Sequence, residues 1–199
     1  TPRQWGNGIL LGGLFFLGGN GAVVWAQQRV PSGIVALIVA IVPLFIVVLD
    51  WLRPPHNRPK PIVIIGVAVG LIGMALLVGR DSLRGDGPID PTAILVLMGG
   101  SLSWAIGALY AQHADLPKSH LLTASTELLG GGALLAIVSI ILREPWLMDW
   151  QAVSIGPVLS IVYLITAGSI IGFTAFGWLV RVAPPSRVAT YAYVNPVVA

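Results

Sequence analysis

Gly19-Asn20-Gly21-Ala22-Val23-Val24-Trp25-Ala26-Gln27-Gln28-Arg29-Val30-Pro31-Ser32-Gly33-Ile34-Val35-Ala36 decides how this chain is built. An apolar run reaches a short polar joint, Gln27-Gln28-Arg29. Pro31 closes the joint, and a second apolar run leaves it towards Val42-Pro43. A bilayer core of about 30 Å takes roughly 20 apolar residues per helical crossing. The runs on either side of the joint, Trp5–Ala26 and Pro31–Leu52, have that length. The joint therefore links two membrane helices at one face of a bilayer.

The same arithmetic extends along the chain. Further apolar stretches occupy Pro61–Gly79, Pro91–Gln112, Leu121–Leu142 and Ile155–Val180, and another begins at Val188. Polar residues with Pro and Gly fill the connections, most clearly Asn57–Lys60 and Asp81–Asp90, which read as loops. Of the 199 residues, 56% are hydrophobic and 10% charged, with a mean hydropathy of +0.88. A soluble domain carries about 25% charged residues. That excludes a soluble globular protein, a disordered chain and an ordinary cytosolic enzyme. The lipid bilayer is the expected surrounding.

Eleven basic residues against eight acidic ones give a charge of +3. The basic residues are scattered between apolar runs and form no nucleic-acid-binding face. They set orientation instead. Arg3, Arg53, Arg58, Lys60, Lys118, Arg181 and Arg187 fall on one side, against Arg29, Arg80, Arg84 and Arg143 on the other. The richer side is expected to be cytoplasmic. There is no cysteine, and His56, His113 and His120 are not paired at metal-binding spacing. No metal, cofactor or catalytic group is expected.

Shifting the sequence by 153 positions superimposes Gly19 on Gly172, Ala22 on Ala175 and Trp25 on Trp178. The same shift superimposes Pro31 on Pro184, Val35 on Val188, Ala36 on Ala189 and Pro43 on Pro196. Ala, Val and Gly recur by chance in apolar segments. The tryptophan and the two prolines are rarer and keep their spacing. An odd number of crossings, the second through the sixth, separates the two joints, so they face opposite sides. Inverted repeats of this kind belong to secondary transporters, whose halves rock about a midplane site. The register places roughly 63 residues before Thr1 and about 34 after Ala199 in an intact protein of ten helices. Both ends of the present chain read as cut.

Three segments resemble a known family. Val30-Pro31-Ser32-Gly33-Ile34-Val35-Ala36, running to Val42-Pro43-Leu44-Phe45, is similar to the fourth helix of EamA-type drug/metabolite transporters. Gly99-Gly100-Ser101-Leu102-Ser103-Trp104-Ala105 is similar to their sixth. Tyr191-Ala192-Tyr193-Val194-Asn195-Pro196-Val197-Val198-Ala199 is similar to their ninth. The resemblance implies an all-α polytopic membrane bundle of two inverted five-helix repeats, truncated here at both ends. Residues 1–80 would be helices three to five of the first repeat. Residues 88–199 would be helices six to nine of the second, the last incomplete. The implied activity is carriage, usually export, of small metabolites across the inner membrane. Many members carry Glu after the fourth helix, where this chain reads Arg53-Pro54-Pro55-His56, so that acid is missing.

Several residues are candidates for the solute path. Pro43 and Pro196 each remove a backbone hydrogen bond inside a helix, which can bend it or expose polar backbone to a ligand. A static kink satisfied by neighbouring helices is the plain alternative. Asn195 and Asn20 place amides at membrane depth, and Trp104 and Tyr191 supply deep aromatic walls. Substrate is therefore expected against Asn20, Pro43, Trp104, Tyr191, Asn195 and Pro196. Trp25, Tyr110 and Trp178 fit interfacial anchors. Glu127 lies well inside an apolar run and must be protonated, hydrogen-bonded or beside a wet cavity. It is a candidate for proton coupling from a proton gradient or for cation recognition, or else a packing acid bonded to Thr123 or Ser125, or to a neighbouring helix. The resemblance implies a cavity lined by helices other than the seventh, on which Glu127 falls. Small residues at Gly8/Gly12, Gly66/Gly70, Gly99/Ser103/Gly107 and Gly168/Gly172 permit close helix approach. Gly66/Gly70 would also suit a homodimer, which nothing else in the sequence supports.

The reading is a transporter of small metabolites or drugs by alternating access. A non-transporting scaffold is the rival, and an intramembrane enzyme a weaker one, because no cluster of convergent ionisable groups lies within the apolar runs.

Overall fold

A computed structural model of the chain describes residues 1–53, 58–83, 90–147, 153–188 and 190. Tyr191, Asn195 and Pro196 lie outside the described residues. Six long helices form in order: α1 (Pro2–Gln27), α2 (Ser32–Leu52), α3 (Pro61–Leu83), α4 (Pro91–Ala111), α5 (His120–Ile141) and α6 (Ile155–Val182). Among the described residues there is no strand. All except α3 are long and apolar enough over their described residues to cross a membrane, and α3 is apolar over Pro61–Gly73. The apolar stretches in the sequence locate these helices to within a few residues. One boundary differs. The 81–90 segment, read as a loop, is helical as far as Leu83. Arg80 and Asp81 leave the helical backbone intact, and the first strong breakers in the sequence are Gly85, Gly87 and Pro88.

Local chemistry sets the helix starts. Asp90 accepts a hydrogen bond from the Thr92 amide at 2.9 Å and precedes Pro91, which needs no donor at the first helical position. Ser119 caps α5 through the Leu122 amide at 3.4 Å. Arg143 ends that region with a left-handed backbone (φ 60°), the usual device for leaving a helix. Short helices follow at Glu144–Leu147 and Pro185–Val188.

Two of the helices are not uniform. In α1 the segment Gly13–Asn20 is π-helical, and in α6 so is Leu164–Phe173. The wider turn shifts side chains around the axis and is frequent at functional sites. In α2 the helix breaks at Ala40–Ile41, dividing Ser32–Val39 from Val42–Leu52. Pro43 causes the break: it has no N–H for the Val39 carbonyl, and the chain tightens there with Ile41 N–H on the Ile38 carbonyl at 3.0 Å.

The helices pack around α1. Leu11 and Phe15 of α1 are buried against Val42 and Ile46 of α2, Ala105 and Ala108 of α4, Ala124 of α5 and Phe173 of α6. A second cluster joins Ala26, Val30, Ile34 and Val35 to Ala93 and Leu97. Gly12 and Gly131 make the α1–α5 crossing possible, since a side-chain carbon on Gly12 would strike the Glu127 carbonyl and the Gly131 backbone. The expectation of close approach thus applies at Gly8/Gly12, and also at Gly107, which faces the Phe15 ring. It does not apply at Gly66 or Gly99, which face open space. Outward surfaces are apolar, with Leu76 77% and Ile141 72% exposed, as lipid contact allows.

One end of the bundle is polar. The Asn7 side chain donates to the Asp115 carbonyl at 2.9 Å, and the Tyr110 hydroxyl donates to Asn7 Oδ1 at 2.9 Å. Gln4 donates to Asp115 Oδ1 at 3.3 Å, and Arg53 sits 3.3 Å from His113 Nδ1. Tyr110 therefore ties α1 to α4. The starts of α1 and α5 meet the ends of α2, α4 and α6 at this end, as alternating crossings require.

Candidate functional site

The π-helical segments of α1 and α6 form two walls of one cleft. Its volume is about 1000 Å³. Phe16 and Asn20 come from α1, Trp104 from α4, and Leu164, Ser169 and Phe173 from α6. α5 contributes Leu128, Gly132 and Leu135. The volume lies at the upper end of small-molecule pockets. The lining is apolar and aromatic with few polar groups, and none of the described lining residues is charged.

Aromatic rings hold the cleft's floor. Phe15 lies 4.9 Å from Trp104 and 5.8 Å from both Phe173 and Phe176, between ring centroids. Phe16 lies 4.8 Å from Phe173, and Trp104 lies 5.7 Å from Phe176. Each such pair contributes about 0.5–1.5 kcal/mol beyond its buried area. The cluster joins α1, α4 and α6, so any relative movement of these helices must repack it.

A smaller chamber of about 140 Å³ adjoins the cleft. Asn20 and Trp104 belong to both. Gly19, Gly100 and Ser101 line the rest, with Val39 and Val42 from the broken part of α2. α1 and α4 come close here because both lack side chains: a carbon on Gly100 would lie 2.6 Å from the Ala22 side chain, and one on Gly19 would lie 2.7 Å from the Trp104 ring. Ser101 Oγ and Trp104 Nε1 are buried without a hydrogen-bond partner.

The structure brings together two of the residues the sequence nominated, Asn20 and Trp104. Pro43 is buried and shapes the chamber through its neighbours without lining it. Trp25 holds Arg29, whose guanidinium lies 3.7 Å above the ring, at the joint between α1 and α2. Glu127 is 3% exposed and lies apart from the cleft. It shares a void of about 10 Å³ with Thr123 and Arg181. Of the partners expected for a packing acid, the two on its own helix are engaged elsewhere, while Arg181 of the neighbouring α6 lines the same void. Ser125 donates to the Leu121 carbonyl at 2.8 Å, and Thr123 to the Pro117 carbonyl at 3.1 Å. Arg181 reaches over from α6 and donates to Thr123 Oγ1 at 2.8 Å and to the Pro117 carbonyl at 3.0 Å.

Three features were not anticipated. Arg181 counts in the sequence as a loop charge marking orientation, yet it is half-buried between helices. Ser101 lies within the sixth-helix-like segment but had no signal of its own beside other small residues. The phenylalanine cluster spans residues 15–176, and no local pattern links its members.

The comparisons with known proteins agree with this architecture. The model of the EamA-like transporter family matches residues 1–79 and 91–199. The chain belongs to the EamA-like transporter family. The uncharacterized inner membrane transporter YedA of Escherichia coli strain K12 is 37% identical over 194 residues, covering 97% of this chain and 60% of that protein. The uncharacterized transporter YvbV of Bacillus subtilis strain 168 is 26% identical over 169 residues, covering 84% of this chain and 53% of that one. The chain thus spans about 60% of the length of its curated relative YedA. No solved structure matches it. Family membership and the long apolar helices make this EamA-family chain a multi-pass protein of the inner membrane.

Proposed function

We propose that this chain forms part of a transporter that moves small, largely apolar metabolites or drugs, outwards, by alternating access. The cleft between α1, α4, α5 and α6 carries the proposal: it is large enough for a small molecule and walled by the two π-helical segments. The named transporters among the relatives support the same reading over an enzyme or a scaffold.

The two halves are read as inverted copies, residues 1–80 and 88–199. Two features support that reading. The family model matches twice, on either side of residues 80–90. The shift of 153 also carries the π-helical residues 13–20 onto 166–173, inside the second π-helical segment. A matching irregularity in both copies suits a hinge used in both, and equivalent hinges let one half rock as the other closes.

Asn20 and Trp104 are assigned to solute contact and Pro43 to bending α2. Tyr191 and Asn195 are assigned to solute contact from their side chains, and Pro196, the register partner of Pro43, to bending its helix. Glu127 is assigned to proton coupling, since it is the described acid deepest within a span. The experiment is flux into proteoliposomes containing the intact protein, with a panel of neutral, anionic and cationic solutes and with or without a pH gradient. Solute-dependent flux that falls on Asn195→Ala, with insertion retained, is the expected result. An absence of flux for the whole panel would favour the scaffold.

A further inference from the structure

Ser101 and Trp104 hold polar groups that the bundle leaves unused. Ser101 is 4% exposed, and its Oγ has no partner. The indole Nε1 of Trp104, about one turn further along α4, is buried in the same condition. A hydroxyl inside a helix ordinarily bonds the carbonyl four residues earlier. Ser125, Ser160 and Thr166 do so, at 2.8 Å, 3.1 Å and 2.8 Å. Ser101 does not. A buried donor without a partner is costly and calls for a reason.

Both residues line the 140 Å³ chamber, together with Asn20. A water occupies about 30 Å³ of liquid, so the chamber seats a functional group of a solute rather than a whole drug-sized molecule. Asn20 and Trp104 line both it and the larger cleft. No charged residue among the described ones lines either space. A carboxylate or an ammonium would therefore lose its hydration without meeting an opposite charge. A neutral carbonyl loses far less and accepts hydrogen bonds from a hydroxyl and an indole N–H.

We infer that the chamber receives an uncharged hydrogen-bond acceptor of the substrate, such as an amide or ketone oxygen, to which Ser101 Oγ and Trp104 Nε1, both closed off from the chamber in this structure, turn to donate. The aromatic or apolar body of the same molecule lies among Phe16, Phe173 and Phe176 in the cleft. This inference rests on the proposed transport role and deepens it to a class: neutral, amphipathic solutes with an acceptor at one end. Sites of this kind discriminate strongly, because a solute lacking the acceptor leaves both donors unpaired.

The test uses three probes of one size: phenylacetamide, phenylacetate and phenethylammonium. The chain has no cysteine, so Ser169→Cys puts a single reporter thiol on the cleft wall. The rate of its alkylation by a maleimide is measured in the intact protein, with cysteines outside these residues replaced. Phenylacetamide should slow alkylation at concentrations at least tenfold below those needed for either ion. Ser101→Ala and Trp104→Phe should each raise the protecting concentration of phenylacetamide about tenfold. Ser101→Ala should not alter protection by ethylbenzene, which has no acceptor. Equal protection by phenylacetate, no protection by phenylacetamide, or indifference to both substitutions would overturn the assignment. Protection is a binding measurement, so it can succeed in a protein that carries nothing, which would sink the transport role alone. Flux of other solutes without any effect of Ser101→Ala would sink only this assignment.

Discussion

Arg181, in the last turn of α6, donates through Nη2 to Oγ1 of Thr123, in the first turn of α5, at 2.8 Å. The same guanidinium bonds the Pro117 carbonyl, and Thr123 bonds that carbonyl too, so the three groups close a ring at the polar end of the bundle. Removing either side chain takes away two of the three bonds, at about 1–3 kcal/mol. Thr123→Val and Arg181→Ala should each lower the unfolding temperature of the purified protein. Because they break one network, the double variant should be little worse than the poorer single one. Additive losses would show that the two residues act separately.

Gly12 and Gly131 allow α1 and α5 to touch backbone to backbone. Gly12→Leu should destabilise the bundle by about 1–3 kcal/mol or more through overpacking. Its measure is the yield of monodisperse protein after heating in detergent. Gly66→Leu is the control, since that position faces open space, and its yield should match the unsubstituted chain. Loss at Gly66 instead would indicate a contact made by that face.

Pro43→Ala returns the amide that the Val39 carbonyl lacks. Proline inside a helix costs about 3 kcal/mol, so straightening α2 is favourable once the ring is gone. Insertion should be unaffected, while the flux rate of the intact protein should fall several-fold as the chamber loses the shape set by Val39 and Val42. An unchanged rate would make the break a passive kink.

Glu127 faces Arg181 across a void too small for a solute. If it couples protons, Glu127→Gln should abolish the response of flux to a pH gradient while leaving exchange down a solute gradient within about threefold. A collapse of both, with normal yield, would assign it to packing.

The length and order of the helices could be read directly, because crossing a bilayer forces a run of apolar residues of known length. Pro43 was equally plain: inside a helix, a missing donor leaves a carbonyl unpaired. The site was only half legible. Asn20 and Trp104 stood out as an amide and a large ring among small apolar neighbours. Ser101 did not, since a serine on a helix usually satisfies itself. Arg181 looked like a boundary charge because its place between helices depends on Pro117, 64 residues earlier. The π-helical turns have no sequence signature beyond glycines such as Gly13, Gly18, Gly168 and Gly172, which fit many other uses.

The central claim, alternating access to the cleft between the two π-helical segments, can be tested without knowing the substrate. Ser169→Cys, in an intact protein otherwise free of cysteine, is exposed in sealed vesicles of known orientation to a charged, membrane-impermeant maleimide from one side at a time. The account predicts alkylation from either side, each slowed when the other opening is favoured by a bound solute. Labelling from one side alone, or from neither, would contradict it.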